Sequence, residues 1–422
     1  MKKTTRSRPT RRSYTVFHQL VQLIPAGLPD RIARDKKADI RRFSCTSHVL
    51  ALLFGHISRA LSLNEICDSL HLHAPELGRI RGATAPKRNT FSNANRTRDP
   101  AIAEQVCWGV LEHLRTISPN FVDSRRHRGF LSRFKHTIVA IDSTVLRLAL
   151  YSIDWARHRR RKAAAKLHMR LDVGSMLPSF AVVDSAAPHD IRHAATLCAN
   201  LKDGDVLLAD RAYVDFAFLH NLVKRGISFV LRDKVSMVYE TLENHEHKDP
   251  RIVSDEIVTP ALEGSQEKYP DKIRRITAVV EVGGKETEMT FITNNFEWSP
   301  VSVIELYQAR WSIEVFFKEI KQTLKLTDFV GYNENAVKWQ VWIGLLAHLL
   351  IRFKKHVSKW GLSFSRLAGT MKAAIWMKAD LDDILKIYGT AAAPSRPQVT
   401  AEQLYFQGFT PLTNQPMGQH TT

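Results

Sequence analysis

Residues 137–144 read Thr137-Ile-Val-Ala-Ile-Asp142-Ser-Thr144. A short apolar run rich in β-branched residues ends at a carboxylate, the pattern of a buried strand with an acid at its end. Val206-Leu-Leu-Ala209 followed by Asp210 repeats it. Between the two, Lys166 to Val173 alternates, with Leu167, Met169, Leu171 and Val173 on one face. Phe180 to Val183 is another apolar run, Ile191 to Leu201 has the pattern of a short helix, and Ile227 to Leu231 that of a fifth strand. Three strands, a helix, a strand and a further strand predict a mixed α/β sheet.

The flanks read differently. From Val16 to about Leu114 the pattern is helical, with apolar-periodic segments at Ser47 to Ala60 and Leu61 to Leu70 and Ser62 as a candidate N-cap. A break containing Pro75, Gly78, Gly82 and Pro86 precedes Lys87-Arg-Asn-Thr-Phe-Ser-Asn-Ala-Asn-Arg96. Asn, Arg, Lys and Ser are the residue types that read base edges and grip phosphates. The segment fits a helix-turn-helix-like DNA reader and also fits a capped, solvent-facing helix. Arg232 to Thr293 is polar and β-rich, and Gly283-Gly284 between two strand-like runs signals a hairpin. Apolar helices follow Asn333 to about Tyr388, and 391–422 lacks periodicity.

The bulk composition narrows the classes. A chain of 422 residues allows two or three domains, and 44% hydrophobic with 24% charged residues is ordinary for a globular protein. The net charge of +19 points to a polyanionic partner, nucleic acid most simply; a basic surface without a specific partner is the alternative. Cys45, Cys67, Cys107 and Cys198 form no C-x-x-C pair, which argues against a zinc ribbon or a dense disulfide framework. The basic N-terminus has no apolar segment of the secretory type. The longest apolar stretch, Val341 to Ile351, is too short for a bilayer and contains His348, so no membrane partner is expected and a cytoplasmic location is.

Asp142 and Asp210, each just past an apolar run, fall where open α/β sheets bind ligands. Glu314 is the candidate third acid. On a continuous helix, Tyr307, Arg310, Glu314 and Lys321 point to about 0°, 300°, 340° and 320°, a stripe about 60° wide. Leu306, Ile313, Phe316, Phe317, Ile320 and Leu324 point elsewhere, so the helix is expected to bury one face and offer the other. Alone, it fits a solvated charge stripe equally well. Three carboxylates without His or Cys ligands suit two hard cations, Mg²⁺ or Mn²⁺, that together promote in-line phosphodiester displacement. Each aspartate by itself is as readily a turn or cap residue, and Asp172, Asp184 and Asp190 are local rivals.

Asp142-Ser-Thr, Asp210-Arg-Ala-Tyr and Tyr307-x2-Arg310-x3-Glu314-x6-Lys321 together resemble the DDE transposases of the insertion-sequence-four family with the Tyr-Arg-Glu-Lys signature. Trp311 and Phe317 extend the similarity, as do Lys166-x-His168, His189-Asp190 and Ser92-Asn-Ala-Asn-Arg96. The resemblance covers most of residues 15 to 350 and thins beyond. It implies a ribonuclease-H-like catalytic core with a β-rich insertion, between a helical N-terminal domain and C-terminal helices. It implies cut-and-paste DNA movement at terminal inverted repeats, by a homodimer on paired double-stranded ends, on bacterial DNA. Asp142, Asp210 and Glu314 would be the catalytic, metal-binding triad, and Tyr307, Arg310 and Lys321 would hold phosphates near the cleaved end. Trp298, at the insertion's end, is the candidate for stacking on a flipped base; core packing is the other reading. The basic run 157–162 is either a solvated loop or a phosphate contact. A metal-dependent nuclease on the same core, or a non-catalytic DNA-binding remnant, is the competing reading. The expected organisation is a basic arm (1–14), a helical N-terminal DNA-binding domain (15–130), the first part of the core (131–231), the insertion (232–299), the second part of the core with the glutamate helix (300–350), C-terminal helices (351–390) and a tail (391–422).

Overall fold

Strand β1 (Ile138–Leu148) buries both of its faces, and that decides the architecture. The structure is a computed structural model that describes residues 13–389 apart from 39–41, 124–128, 149–162, 186–189, 283, 325–330 and 332. The arm up to residue 12, the basic run 157–162, His189 and the tail 391–422 lie outside the described residues. Along β1, Ile138, Ala140 and Leu146 enter one apolar cluster, while Val139 and Ile141 enter a second. Strands β4 (Val206–Ala209) and β5 (Ser228–Arg232) divide in the same way, with Val206, Leu208 and Val230 on one side and Leu207, Ala209, Phe229 and Leu231 on the other. Period-two alternation of a strand with two buried faces thus builds two cores, one on each side of the sheet.

Among the described residues the sheet has nine strands, in the order β3-β2-β1-β4-β5-β9-β8-β7-β6. Strands β2 (Ala163–Asp172) and β3 (Leu177–Ser185) run antiparallel beside β1, and β4 and β5 run parallel to it. This order fits a ribonuclease-H-like core. Strands β6 (Tyr239–Asn244), β7 (Ile252–Pro260), β8 (Ile273–Val282) and β9 (Lys285–Thr293) form an antiparallel meander that joins the same sheet, because β9 pairs with β5 through Val230 with Thr293 and Leu231 with Ile292. The segment expected as an insertion therefore widens the core sheet rather than forming one of its own. In the β8–β9 hairpin Val282 pairs with Lys285, and Gly284 has φ 76°; residue 283 lies outside the described residues.

Among the described residues, seven α-helices precede the sheet: α1 (Val16–Val21), α2 (Leu28–Asp35), α3 (Cys45–Ser58), α4 (Leu63–Leu72), α5 (Ala74–Gly78), α6 (Arg88–Thr97) and α7 (Ala101–Ile117). Ser62 caps α4 by accepting the Glu65 N–H. Helices α8 (Ile191–Leu197) and α9 (Phe216–Lys224) cover the second face of the sheet. A single turn, α10 (Glu263–Gln266), joins β7 to β8. Helices α11 (Pro300–Ala309) and α12 (Trp311–Lys318) cover the first face, and a π-helical segment, Glu319–Thr323, continues α12.

Then comes α13 (Glu334–Val357), followed by α14 (Phe364–Ala374) and α15 (Leu381–Gly389). Helix α13 runs unbroken through residue 350, so no boundary falls there. It is long and apolar enough to cross a membrane, but 89% of its apolar window is buried inside the protein, as in a core helix. Its side chains share one apolar cluster with α1, α3, α6, α7, α11 and α12. The N-terminal helices are thus packed onto the helices that cover the first face of the sheet.

Two buried ionic clusters fasten elements that feed the site. Arg274 on β8 makes a two-pronged contact with Asp255 on β7 (2.8 and 2.7 Å), and its other nitrogen donates to the carbonyls of Phe296 and Trp298 at the exit of the meander. The two side chains are 7% and 3% exposed, so removing one partner leaves a buried charge uncompensated. Asp255→Ala is expected to lower stability by about 3–5 kcal/mol, read from denaturant unfolding; a loss near that of a surface pair would contradict this role.

The second cluster pins the π segment to α13. Glu319 Oε2 accepts from Arg352 (2.6 Å) and from the Nε2–H of fully buried His348 (3.0 Å). Burial alone would raise the Glu319 carboxyl, but the Arg352 charge and the two hydrogen bonds outweigh it and hold it down at about 2. Burial lowers His348 to about 4. Both folded values lie below the unfolded ones, so both contributions are present at neutral pH and are lost on acidification. Stability is expected to fall in two overlapping stages, from about 6.5 toward 4 through His348 and from about 4.5 toward 2 through Glu319. His348→Asn should shrink the upper stage in pH-dependent melting, to which buried His48 and His168 also contribute; an unchanged profile between pH 6.5 and 5 would count against a buried, neutral His348.

Candidate active site

Each β1 residue pairs with the β4 residue 68 positions later: Ile138 with Val206, Val139 with Leu207 and Ala140 with Leu208. Carried on by two residues, this register sets Asp142 beside Asp210. Both acids share the parity of Ile138, Ala140, Val206 and Leu208, which face the cluster under α11 and α12. Glu314 stands in the first turn of α12, which packs against β1 while burying Ile313, Phe316 and Phe317. Strand register, strand parity and helix packing thus bring the three acids to one face of the sheet.

Arg310, in the turn between α11 and α12, lies among them. Its guanidinium is 3.4 Å from Asp142 Oδ2 and 2.5 Å from Glu314 Oε1, and its side chain is 8% exposed. The Tyr307 ring packs beside it, 5.5 Å from the guanidinium carbon, and also against Phe291 at 4.8 Å. Arg310 Nε is buried without a hydrogen-bond partner among the described residues, which leaves one donor for an incoming anion. The expected stripe on one continuous helix is therefore corrected in two respects. The turn at Arg310 is tightened by i,i+3 bonds, from Arg310 N–H to the Tyr307 carbonyl and from Ile313 N–H to that of Arg310. Lys321 lies in the π segment, where the 100° step no longer applies. Tyr307 and Arg310 are buried against the sheet, so they are not an open face.

Burial pushes the Asp142 carboxyl up to about 7; Arg310 and the Ser143 N–H oppose this, and the charges of Asp210 and Glu314 add to it. Asp210 also fills the cap role common for a lone aspartate, since its Oδ1 accepts the Ala212 N–H at 2.8 Å. Behind Asp142 stands Asp190, which the sequence offered as a rival acid and as part of the His189-Asp190 resemblance, without a role at the site. Asp190 Oδ1 accepts from the Ser143 hydroxyl (2.7 Å) and from Lys166 Nζ (2.9 Å), while the Ser143 N–H donates to Asp142 Oδ1 (2.7 Å). Burial raises the Asp190 carboxyl, but its bonds to Lys166 and Ser143 and the Lys166 charge hold it below the usual range. His168 lies fully buried 3.6 Å from Asp190, with its ring against His193, and burial lowers it to about 4, so it is a neutral structural group at pH 7. Tyr213 was quoted only as part of a motif. Its hydroxyl is buried with no hydrogen-bond partner among the described residues, and burial and the charges of Asp142, Asp190 and Asp210 raise it above its ordinary range.

Trp298 is not brought to the acids. Its ring meets Phe134 and His136 ahead of β1, whereas Asp142 lies four residues into the strand, about 13 Å further along.

The donor set is oxygen only, and three like charges crowd a poorly hydrated face, so the chemistry fits a hard divalent cation. Among the described residues no three acids or histidines close on a single ion position. Arg310 holds the space between Asp142 and Glu314, so an ion shared by those two requires its guanidinium to swing away.

Comparison with known proteins agrees with the geometry. Residues 133–350, just over half of the chain, match the family described as the transposase DDE domain, and residues 12–80 match a domain of unknown function. Relatives include the protein named as transposase y4zB of Sinorhizobium fredii, 26% identical over 271 residues, covering 63% of this chain and 74% of the relative. The transposase named for insertion sequence element IS5377 of Geobacillus stearothermophilus is 25% identical over 257 residues, covering 60% of this chain and 65% of the relative. The one named for element IS4SA of Synechocystis is 22% identical over 277 residues, covering 65% and 73%. Among solved structures, the piggyBac transposase synaptic complex with hairpin DNA aligns at TM-score 0.44 and 11% identity, over 92% of this chain and 83% of that one.

Proposed function

Since this chain belongs to the transposase DDE domain family, we propose that it is a cut-and-paste DNA transposase of the insertion-sequence-four type, acting on the ends of its own element as a dimer. The observation that carries the reading is the 68-residue strand register, which sets Asp142 and Asp210 side by side on the face that α12 covers with Glu314.

Asp142, Asp210 and Glu314 would hold the divalent ions, Mg²⁺ or Mn²⁺. When bound, two such ions supply activation of the attacking oxygen and stabilisation of the leaving one. The remaining roles fall to the chain itself. Arg310 trades its carboxylate partners for a phosphate of the cleaved strand, using the free Nε as well as the terminal nitrogens. Tyr307, itself packed on Phe291, backs that guanidinium with its ring. Lys321 adds a point charge from the π segment. Ser143, held by Asp190, fixes the rotamer of Asp142 through its N–H.

Glu314→Gln is expected to lower Mg²⁺-dependent strand cleavage by more than the roughly 10–100-fold typical of losing an outer-shell partner, measured on duplex DNA that flanks the protein's own reading frame. Persistent cleavage would overturn the triad. Arg310→Ala removes the cation that competes for Asp142 and Glu314. Mn²⁺ affinity, read by paramagnetic resonance without DNA, should rise while joining to target DNA falls; unchanged or weaker ion binding would refute the competition.

A further inference from the structure

Helix α6 presents a face that the chemistry above does not use. At about 100° per residue from Arg88, the buried Phe91, Ala94 and Asn95 point to about 300°, 240° and 340°. The exposed Asn89, Asn93 and Arg96 point the opposite way, to about 100°, 140° and 80°. Between residues 79 and 98 the chain carries six cations and no carboxylate. Arg81 and Arg98 among them donate to backbone carbonyls, of Val21 and Ser44 for example, whereas Lys87, Arg88 and Arg96 are exposed. A cationic, amide-bearing stripe without acids is complementary to a duplex groove: Asn suits the edge of adenine, Arg that of guanine, and the flanking Lys87 and Arg88 suit phosphates.

The seat of α6 adds a second feature. Asn95 accepts at 2.8 Å from buried His48 on α3, whose ring stacks on Trp339 of α13 at 4.2 Å. Asn333 and Asn335, at the start of α13, both donate to the Arg96 carbonyl, and Trp339 Nε1 donates to that of Arg98. About 20 Å along the same helix, His348 grips Glu319, five residues past Glu314. One helix therefore connects the polar face of α6 to the segment that carries the third acid.

We propose that α6 reads the base edges of double-stranded DNA in the major groove, and that α13 fixes the distance between the bases read and the phosphodiester cut. This rests on the transposase reading for the cut alone; base reading stands without it.

The test is selection of bound duplexes from a pool with a randomised core, in EDTA so that no chemistry intervenes. The wild-type chain should enrich a consensus. Asn93→Ala and Arg96→Ala, at exposed helical positions where alanine keeps the helix, should each lower preference at defined base pairs by about 5- to 100-fold while binding to random duplex changes less. Arg96→Lys keeps the charge and should still lose its base preference, which a purely electrostatic contact would not. Absence of any wild-type consensus, or an unchanged consensus in all three variants, would overturn the assignment. A second arm inserts base pairs between the consensus and a pre-nicked end. Joining of that end in Mg²⁺ should fail when the spacing changes by two to three base pairs, and tolerance of the insertion would refute the fixed spacing. Selection that succeeds while no joining occurs at any spacing would refute the catalytic reading and leave base reading intact.

Discussion

The parallel pairing of β1 with β4 is the constraint on which the rest of the site depends. It places Asp142 and Asp210 next to each other on a face that is otherwise apolar, and two carboxylates there are unfavourable without a cation. Glu314 adds a third from α12. The chain supplies one compensating charge of its own, Arg310, and buries it between two of the three acids. Three acids against one cation leave the cluster under-neutralised; burial above all, with the charges of Asp210 and Glu314 adding to it, pushes Asp142 up to about 7. The site is thus stable enough to fold and still under-neutralised, a state that favours entry of divalent ions.

At Arg310 the helical bonding tightens from i,i+4 to i,i+3 while the backbone stays in the right-handed helical region, with φ −54° and ψ −31°. The tight turn at Arg310 ends α11 so that Tyr307 packs on Phe291, then restarts as α12 with Glu314 directed at the strand ends. The π segment that follows adds a further change of phase, and such segments recur at functional sites because they redirect side chains without ending the helix. Its stability comes from outside, through Glu319, His348 and Arg352.

Much of this was legible in the sequence, for identifiable reasons. The runs before Asp142 and Asp210 read as buried strands because both faces of each are apolar, and the Gly283-Gly284 hairpin follows from turn chemistry. Ser62 as a cap is a local decision made by four residues. What remained hidden is non-local. That β9 joins β5, so that the meander widens the core sheet, depends on a pairing across about sixty residues which periodicity does not encode. Asp190 reads as one acid among several until β1, β2 and the start of α8 bring Ser143, Lys166 and His168 around it. The burial of Tyr307 and Arg310 was missed because a helical wheel gives directions and not what packs against them, here Phe291 on β9 and the acids of the sheet face.

Helix α13 explains why the N-terminal helices and the catalytic sheet form one structure. Its apolar content approaches that of a membrane span, yet it is consumed on all sides by α3, α6, α7 and the helices over the sheet. A helix buried all round cannot shift relative to one neighbour without opening voids against the others, and a close-packed interior resists that. The polar bonds at its start, Asn333 and Asn335 to α6, and further along it, His348 to Glu319, are therefore held at a separation set by helical rise, about 1.5 Å per residue, rather than by a linker. A protein that must recognise one stretch of a polymer and act on another gains a ruler from such a helix. The same rigidity leaves the turn at Arg310 and the π segment, rather than α13, as the places where the site can adjust when ions and phosphates replace the internal ion pairs.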